Sequence, residues 1–247
     1  MKFDFSNKTV VVTGGTRGIG AAIVELFQEC NAEIIATGTN NKQLERLNQD
    51  SAGKKIKYMY LDFTSNESIQ EFLVYLENQD RIDSLINNAG VNKIDSIQEI
   101  AENDWDWINN VNLRGPFLLT HAVANIMKNQ GYGRMVNIAS IFGVVSKAKR
   151  AAYSTTKWGL IGFTKAVSLD LAPHNILVNA VSPGFVNTEL TRKILGDKGI
   201  KDIIRSIPQQ RLAEVEEIAK TVVFLASDHN TYINGQNIIV DGGFTSA

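Results

Sequence analysis

Near the amino terminus, Thr9-Val10-Val11-Val12-Thr13 leads straight into Gly14-Gly15-Thr16-Arg17-Gly18-Ile19-Gly20. Ala22, Ile23, Leu26 and Phe27 then recur at helical spacing. A β-branched run suits a strand buried on both faces, and the spacing of three and four suits an amphipathic helix. Few folds accommodate a strand, a glycine-rich turn and a helix start in this order. Glycines let the backbone approach a pyrophosphate, and unpaired N–H groups of the first helical turn point at it. The stretch therefore predicts a dinucleotide cradle at the edge of a parallel α/β sheet. Its spacing, Gly14-x-x-x-Gly18-x-Gly20, departs from the G-x-G-x-x-G fingerprint and points to a different branch of that architecture.

The rest of the chain keeps the alternation going. Further strands are expected at Glu33–Thr37, Lys57–Leu61, Ser84–Ile86, Arg134–Ala139, Ile176–Val181 and Asn237–Val240. Between them, Ile69, Phe72, Leu73 and Leu76 mark one helix. Residues 104–127 read as a long helix capped by Asn103 or Asp104, with Trp105 and Trp107 as packing residues. Residues 151–172 read as another helix, and Ala219–Ser227 lies in the last one. Strands alternating with helices argue for a doubly wound, parallel, seven-stranded Rossmann-type sheet with helices on both faces. No Pro/Gly-rich linker, internal repeat or low-complexity tract divides the 247 residues, so residues 1–247 are expected to form a single α/β domain.

Composition narrows the partners. With 25 basic and 26 acidic side chains, neither nucleic acid nor a membrane surface is expected. No apolar stretch is long enough to span a bilayer, and the first residues lack a secretory pattern. Cys30 is the single cysteine, which excludes an internal disulfide and a cysteine metal cage. The expectation is a soluble cytoplasmic protein without a bound metal.

Gly14, Thr39, Asp62, Asn88–Gly90, Ser140 and Pro183-Gly184 each fall just after a strand, at the edge where open α/β sheets bind ligands. An acidic residue usually follows the second strand to hold the ribose hydroxyl of NAD. Here Glu33 lies at the wrong end of that strand and Glu45 inside the next helix. An uncharged strand end, with Arg17 in the phosphate loop, suits a 2′-phosphate and so NADP(H). On helix 151–172, Tyr153 and Lys157 sit one turn apart on one face. A neighbouring ammonium favours the ionised form of a phenol, whose free value near ~10 is too high for work at neutral pH. Asn112, in the middle of a helix, is a poor helix former there.

Taken in order, Thr13-Gly14-x-x-x-Gly18-x-Gly20, Asn87-Asn88-Ala89-Gly90, Asn112, Ser140, Tyr153-x-x-x-Lys157, Pro183-Gly184 and Thr188 resemble the short-chain dehydrogenase/reductase family over essentially the whole chain. The resemblance implies that Tyr153 protonates a carbonyl oxygen in reduction, or acts as the base in oxidation. It implies that Lys157 lowers the Tyr153 pKa and binds the nicotinamide ribose, and that Ser140 hydrogen-bonds the substrate oxygen. Asn112 would hold a water linking Lys157 to solvent. The implied cofactor contacts are Gly14, Thr16, Arg17, Gly18, Ile19 and Gly20 in the phosphate loop, then Thr39, Asp62, Phe63, Asn88, Ala89 and Gly90. Tyr153, Lys157, Pro183, Gly184, Val186 and Thr188 complete the set. Within the family the chain is similar to 3-oxoacyl-(acyl-carrier-protein) reductases. Two positions at which those reductases carry carrier-docking arginines are Gly131 and His174 here. A sugar or small keto acid is the alternative substrate, and a non-catalytic NADP-binding protein the alternative class. An epimerase of the longer branch conflicts with the glycine spacing.

Two further expectations rest on side-chain character. Helix 151–172 carries Trp158, Leu160, Ile161, Phe163, Val167, Leu169 and Leu171, leaving little polar face, while Gly159 and Gly162 permit close approach of another helix. A homotetramer is expected. Residues 188–212 occupy the substrate-lid position, and Arg192, Lys193, Lys198, Lys201, Arg205 and Arg211 outnumber their acids. With Lys147, Lys149 and Arg150 they suggest a positive rim and an anionic small-molecule carbonyl or alcohol substrate.

Overall fold

The computed structural model describes residues 2–247. Seven strands form one sheet: β1 (Thr9–Val12), β2 (Glu33–Gly38), β3 (Ile56–Tyr60), β4 (Ser84–Asn87), β5 (Gly133–Ile138), β6 (Ile176–Pro183) and β7 (Asn237–Val240). Their order is β3-β2-β1-β4-β5-β6-β7, and every pairing is parallel. The order reverses between β1 and β4, which opens a crevice at their carboxyl ends.

Strand periodicity sorts the core into two layers. Val10 and Val12 face one side with Ile23 and Phe27 of α1 (Gly18–Glu29) and Val222 of α8 (Val215–Ala226). Val11 faces the other, with Phe72 and Leu76 of α3 (Asn66–Glu77) and Leu119, Val123 and Met127 of α5 (Gly115–Gln130). Successive side chains of a strand point to opposite faces, so the unbroken Val10-Val11-Val12 run serves both layers. The remaining helices are α2 (Asn41–Asp50), α4 (Glu102–Asn109), α6 (Ala151–Leu171) and α7 (Glu189–Arg205). No helix is long and apolar enough to cross a membrane, and no group of metal-ligating side chains comes together among the described residues.

The expected long helix over 104–127 is longer and interrupted. Between α4 and α5, residues Asn110–Arg114 form a π turn in which the Gly115 N–H donates to Asn110 O. Pro116 has no N–H to donate, so a regular ladder cannot continue through this point. The cap also differs from expectation. Ala101 precedes the first turn and supplies no side-chain hydrogen bond, whereas Asp104 lies within the helix and pairs with Lys93. Position 188–212 holds α7, an exposed helix kinked at Gly196, where φ is +60°.

Candidate active site

The glycine turn closes tightly over the end of β1. Gly14 and Gly18 have φ of +64° and +54°, and a Cβ at Gly20 would stand 2.1 Å from the Gly14 carbonyl oxygen. That last approach excludes any side chain at position 20 without movement of the loop. Arg17 precedes α1 and gives no side-chain cap, so no side chain satisfies the first N–H groups of the helix there. The Thr188 methyl lies 3.6 Å from the Cβ position of Gly18, placing the start of α7 across the mouth of the cradle.

Thr13 ties this turn to β4. Its hydroxyl accepts hydrogen bonds from the backbone N–H groups of Asn88 (3.0 Å) and Ala89 (2.9 Å). Asn88 Nδ2 in turn donates to the Thr13 and Gly14 carbonyls at 2.9 and 3.1 Å. The Asn88 side chain is thus a brace for the phosphate loop. At the end of β2, Thr39 and Asn40 are exposed, and Asn40 Oδ1 accepts the Gln43 N–H at 3.1 Å to cap α2. No carboxylate stands at this strand end. The expected contacts at Phe63 and Val186 place their side chains in the core instead, leaving only backbone for a nucleotide. Phe63 packs against Gly115, where a Cβ would come within 2.7 Å of its ring. The Asp62 carboxylate is engaged by the Thr64 N–H and hydroxyl at 2.8 and 2.7 Å. Pro183 ends β6, and Gly184 packs so closely that a Cβ would stand 2.7 Å from the Asp241 Cα. Thr16 and Ile19 remain partly exposed on the turn.

Ser140 lies two residues beyond β5 in extended conformation, and its Oγ accepts the Phe142 N–H at 3.2 Å to start a 3₁₀ turn over Ile141–Gly143. A Cβ at Gly143 would meet Ile161 Cδ1 at 2.7 Å and the Lys157 carbonyl oxygen at 2.8 Å. The turn therefore lies flat on α6, and the Ser140 hydroxyl reaches the Tyr153 phenol. Lys157 is 3% exposed, its Nζ donates to the Ile138 carbonyl at 2.8 Å, and it lies 5.6 Å from the Tyr153 ring centroid. Asn112, fully buried in the π turn, donates from Nδ2 to Val91 O (2.9 Å) and Thr156 Oγ1 (3.2 Å), and its Oδ1 accepts the Val91 N–H (2.8 Å). A Cβ at Gly90 would be 3.6 Å from both Asn112 Oδ1 and Lys157 Nζ, which places those groups around one point. Thr156 completes the link by donating to the Tyr153 carbonyl at 2.8 Å.

Burial dominates the electrostatics of the site. Burial pushes the Tyr153 phenol above its ordinary pKa, while the Ser140 hydrogen bond and the charge of Arg150 pull the other way. Burial also pulls Lys157 down, to about 8, so its ammonium is itself a penalised charge. Spacing along the helix revealed the ammonium but not the burial that lowers its pKa.

The basic rim is also weaker than its residue count suggests. Arg211 pairs with Glu217 at 2.6 Å and Arg205 with Asp202 at 3.6 Å. Lys147 and Lys149 are exposed, whereas Arg150 is buried. A cleft of about 450 Å³ opens behind α7, lined by Asn187, Arg192, Lys201 and Glu214 among others. It touches none of Asn112, Ser140, Tyr153 or Lys157.

Residues 14–245 match a family model described as enoyl-(acyl carrier protein) reductase. A 3-oxoacyl-(acyl-carrier-protein) reductase of Aquifex aeolicus is 38% identical over 98% of this chain and 99% of its own. A putative gluconate dehydrogenase structure from Agrobacterium tumefaciens superposes with a TM-score of 0.93 at 30% identity, covering 100% of this chain and 99% of that one. A gluconate 5-dehydrogenase from Burkholderia cenocepacia, in complex with NADP and tartrate, superposes with a TM-score of 0.91 at 29% identity, covering 100% and 98%.

Proposed function

Because this chain belongs to the short-chain dehydrogenase/reductase family and is an oxidoreductase of the CH–OH/C=O class, we propose that it uses NADP(H) to reduce the ketone of a small oxoacyl compound, free or as a thioester. The observation that carries this reading is the convergence of Ser140, Tyr153, Lys157 and Asn112 at the carboxyl end of β4 and β5, beside the glycine cradle. When bound, NADPH would supply the hydride, and the protein's own groups would position the ketone and move the proton. Two adjacent hydroxyls suit a reacting oxygen.

The cradle fits a dinucleotide: the bare Gly14–Gly20 turn and uncapped start of α1 would hold the pyrophosphate. Arg17, Thr39 and Asn40 would meet the 2′-phosphate, where no carboxylate opposes it. Ser140 would donate to the ketone oxygen and fix its position. Tyr153, kept protonated by burial, would deliver the proton to that oxygen as negative charge develops on it. Lys157, still largely protonated at neutral pH, would stabilise the resulting phenolate and contact the nicotinamide ribose. The π turn leaves backbone carbonyl capacity near Asn112 that could hold a water, through which Lys157 exchanges protons with solvent.

The curated relatives favour an oxoacyl substrate. Carrier-protein docking is not supported. Gly131 closes α5 with φ +65°, a conformation that disfavours an arginine there, and His174 fills the other position. We place the active protein in the cytoplasm as a homotetramer. Trp158 (53% exposed) and Leu169 (76%) on α6 and Phe117 (48%) on α5 form an apolar surface that a second copy would cover. The test is NADPH consumption against acetoacetyl thioesters, oxo acids and keto sugars. Turnover of an oxoacyl compound supports the reading, and tight NADPH binding with no turnover on any of them rejects it.

A further inference from the structure

Arg150 is the most anomalous charge in the molecule. It is 8% exposed, its Nη1 is buried without a hydrogen-bond partner, and no ion pair forms with it among the described residues. Its guanidinium lies over the Phe142 ring, 5.2 Å from the centroid, which occupies one face of the ion but none of its N–H edge. Arg134 is the other buried arginine, but it donates to the Gly133 and Asn175 carbonyls at the opposite edge of the sheet. Arg150 has no such engagement. A buried cation without a counter-ion is strongly destabilising, so its position calls for an anion that arrives from outside.

Its location says which anion. Arg150 immediately precedes α6, one turn ahead of Tyr153, and its carbonyl accepts the Ser154 N–H at 2.7 Å. Phe142, on which the guanidinium rests, meets Tyr153 edge to face at 6.3 Å and Phe185 at 6.3 Å, and Phe185 meets Phe244 at 5.3 Å. These aromatic rings form a partly buried wall running from the phenol, with a single cation set into it. A planar, forked donor in such a wall matches a carboxylate better than a hydroxyl or a thioester carbonyl.

We propose that Arg150 binds the carboxylate of the substrate and thereby selects a free oxo acid over its neutral esters and thioesters. This rests on the reading that Ser140 and Tyr153 hold the ketone oxygen. The carboxylate would sit on the Arg150 edge while the ketone meets the two hydroxyls, so one ion pair sets both affinity and orientation.

The test compares acetoacetate with ethyl acetoacetate, a neutral analogue, on the full-length protein with NADPH. Arg150→Met should raise KM for acetoacetate about 30-fold or more, the range expected when one partner of a desolvated charge pair is lost. The ester brings no carboxylate and should be affected far less, so the acid-to-ester ratio of kcat/KM should fall by about the same factor, with Arg150→Lys recovering part of it. Equal losses on acid and ester would show a structural role and overturn the proposal, as would a wild type that does not prefer the acid. A second readout is independent of turnover: the thermal shift produced by acetoacetate on the protein–NADP⁺ complex. If neither compound is reduced but acetoacetate stabilises wild type and not Arg150→Met, the carboxylate site stands and the reductase reading fails. No stabilisation of wild type, or equal stabilisation of both proteins, overturns the site.

Discussion

Replacing Lys157 by Met separates what the active site does for chemistry from what it does to the fold. Burial lowers the Lys157 pKa from 10.5 to about 8. At about 1.4 kcal/mol per pH unit, that fall corresponds to about 3 kcal/mol of destabilisation whenever the amine is protonated. Methionine removes the penalty and fills a similar volume. It also leaves the Ile138 carbonyl without its 2.8 Å donor, a loss of about 1–3 kcal/mol. At pH 7 without nucleotide the variant should therefore be as stable as wild type, or up to about 2 kcal/mol more stable. The sign of the pH dependence is fixed. A base whose pKa is depressed on folding is penalised fully below its folded value, and the penalty disappears as pH rises towards its unfolded value. Wild type should gain on Lys157→Met by about 3 kcal/mol between pH 7 and about 10.5, several degrees of Tm for a chain of this size. Calorimetry or dye-monitored melting of both proteins across that range measures the gap, and turnover of the variant should be lost. Parallel melting curves, with the variant less stable by a constant amount, would refute the buried-charge argument.

Thr39→Asp places a carboxylate where the 2′-phosphate is expected, so the ratio of NADPH to NADH affinity should invert; equal affinities in the unmodified protein would remove the basis for this. Gly20→Ala drives a methyl into the Gly14 carbonyl, 2.1 Å from the Cβ position, and should abolish NADPH binding by titration. Gly162→Ala, with nothing within 4 Å of its Cβ position, is the control and should leave that binding intact. Trp158→Glu charges the exposed face of α6 and should break the assembly by light scattering, whereas a monomeric wild type at micromolar concentration would refute the tetramer.

Most of the fold is legible in the sequence because strand and helix periods differ and the ligand edge collects small polar residues. Val10-Val11-Val12 could be assigned to a doubly covered strand before either layer was visible. The π turn was not legible as such. Asn112 was conspicuous inside a helical pattern, but only the backbone shows that it is fully buried and hydrogen-bonded across to Val91 and Thr156. Ser140, Tyr153 and Lys157 could be placed from spacing and strand ends, whereas their protonation states could not, because desolvation depends on what the rest of the chain packs around them. The bracing by Thr13 and Asn88 and the flat packing of Gly143 on α6 are likewise tertiary facts. Arg150 shows the limit most plainly: beside Lys147 and Lys149 it reads as one more surface cation, and only burial separates it from them.

The central claim is that Tyr153 transfers the proton in an NADPH-dependent carbonyl reduction. The direct measurement is the rate of NADPH consumption by Tyr153→Phe on the best oxoacyl substrate, with NADPH affinity measured in parallel. The phenyl ring keeps its packing against Phe142 and loses only the hydroxyl. The account predicts a fall in kcat of about 10²–10⁴-fold or more, with NADPH affinity within a few-fold of wild type. Near-normal turnover by Tyr153→Phe would contradict it and move the proton transfer to another group.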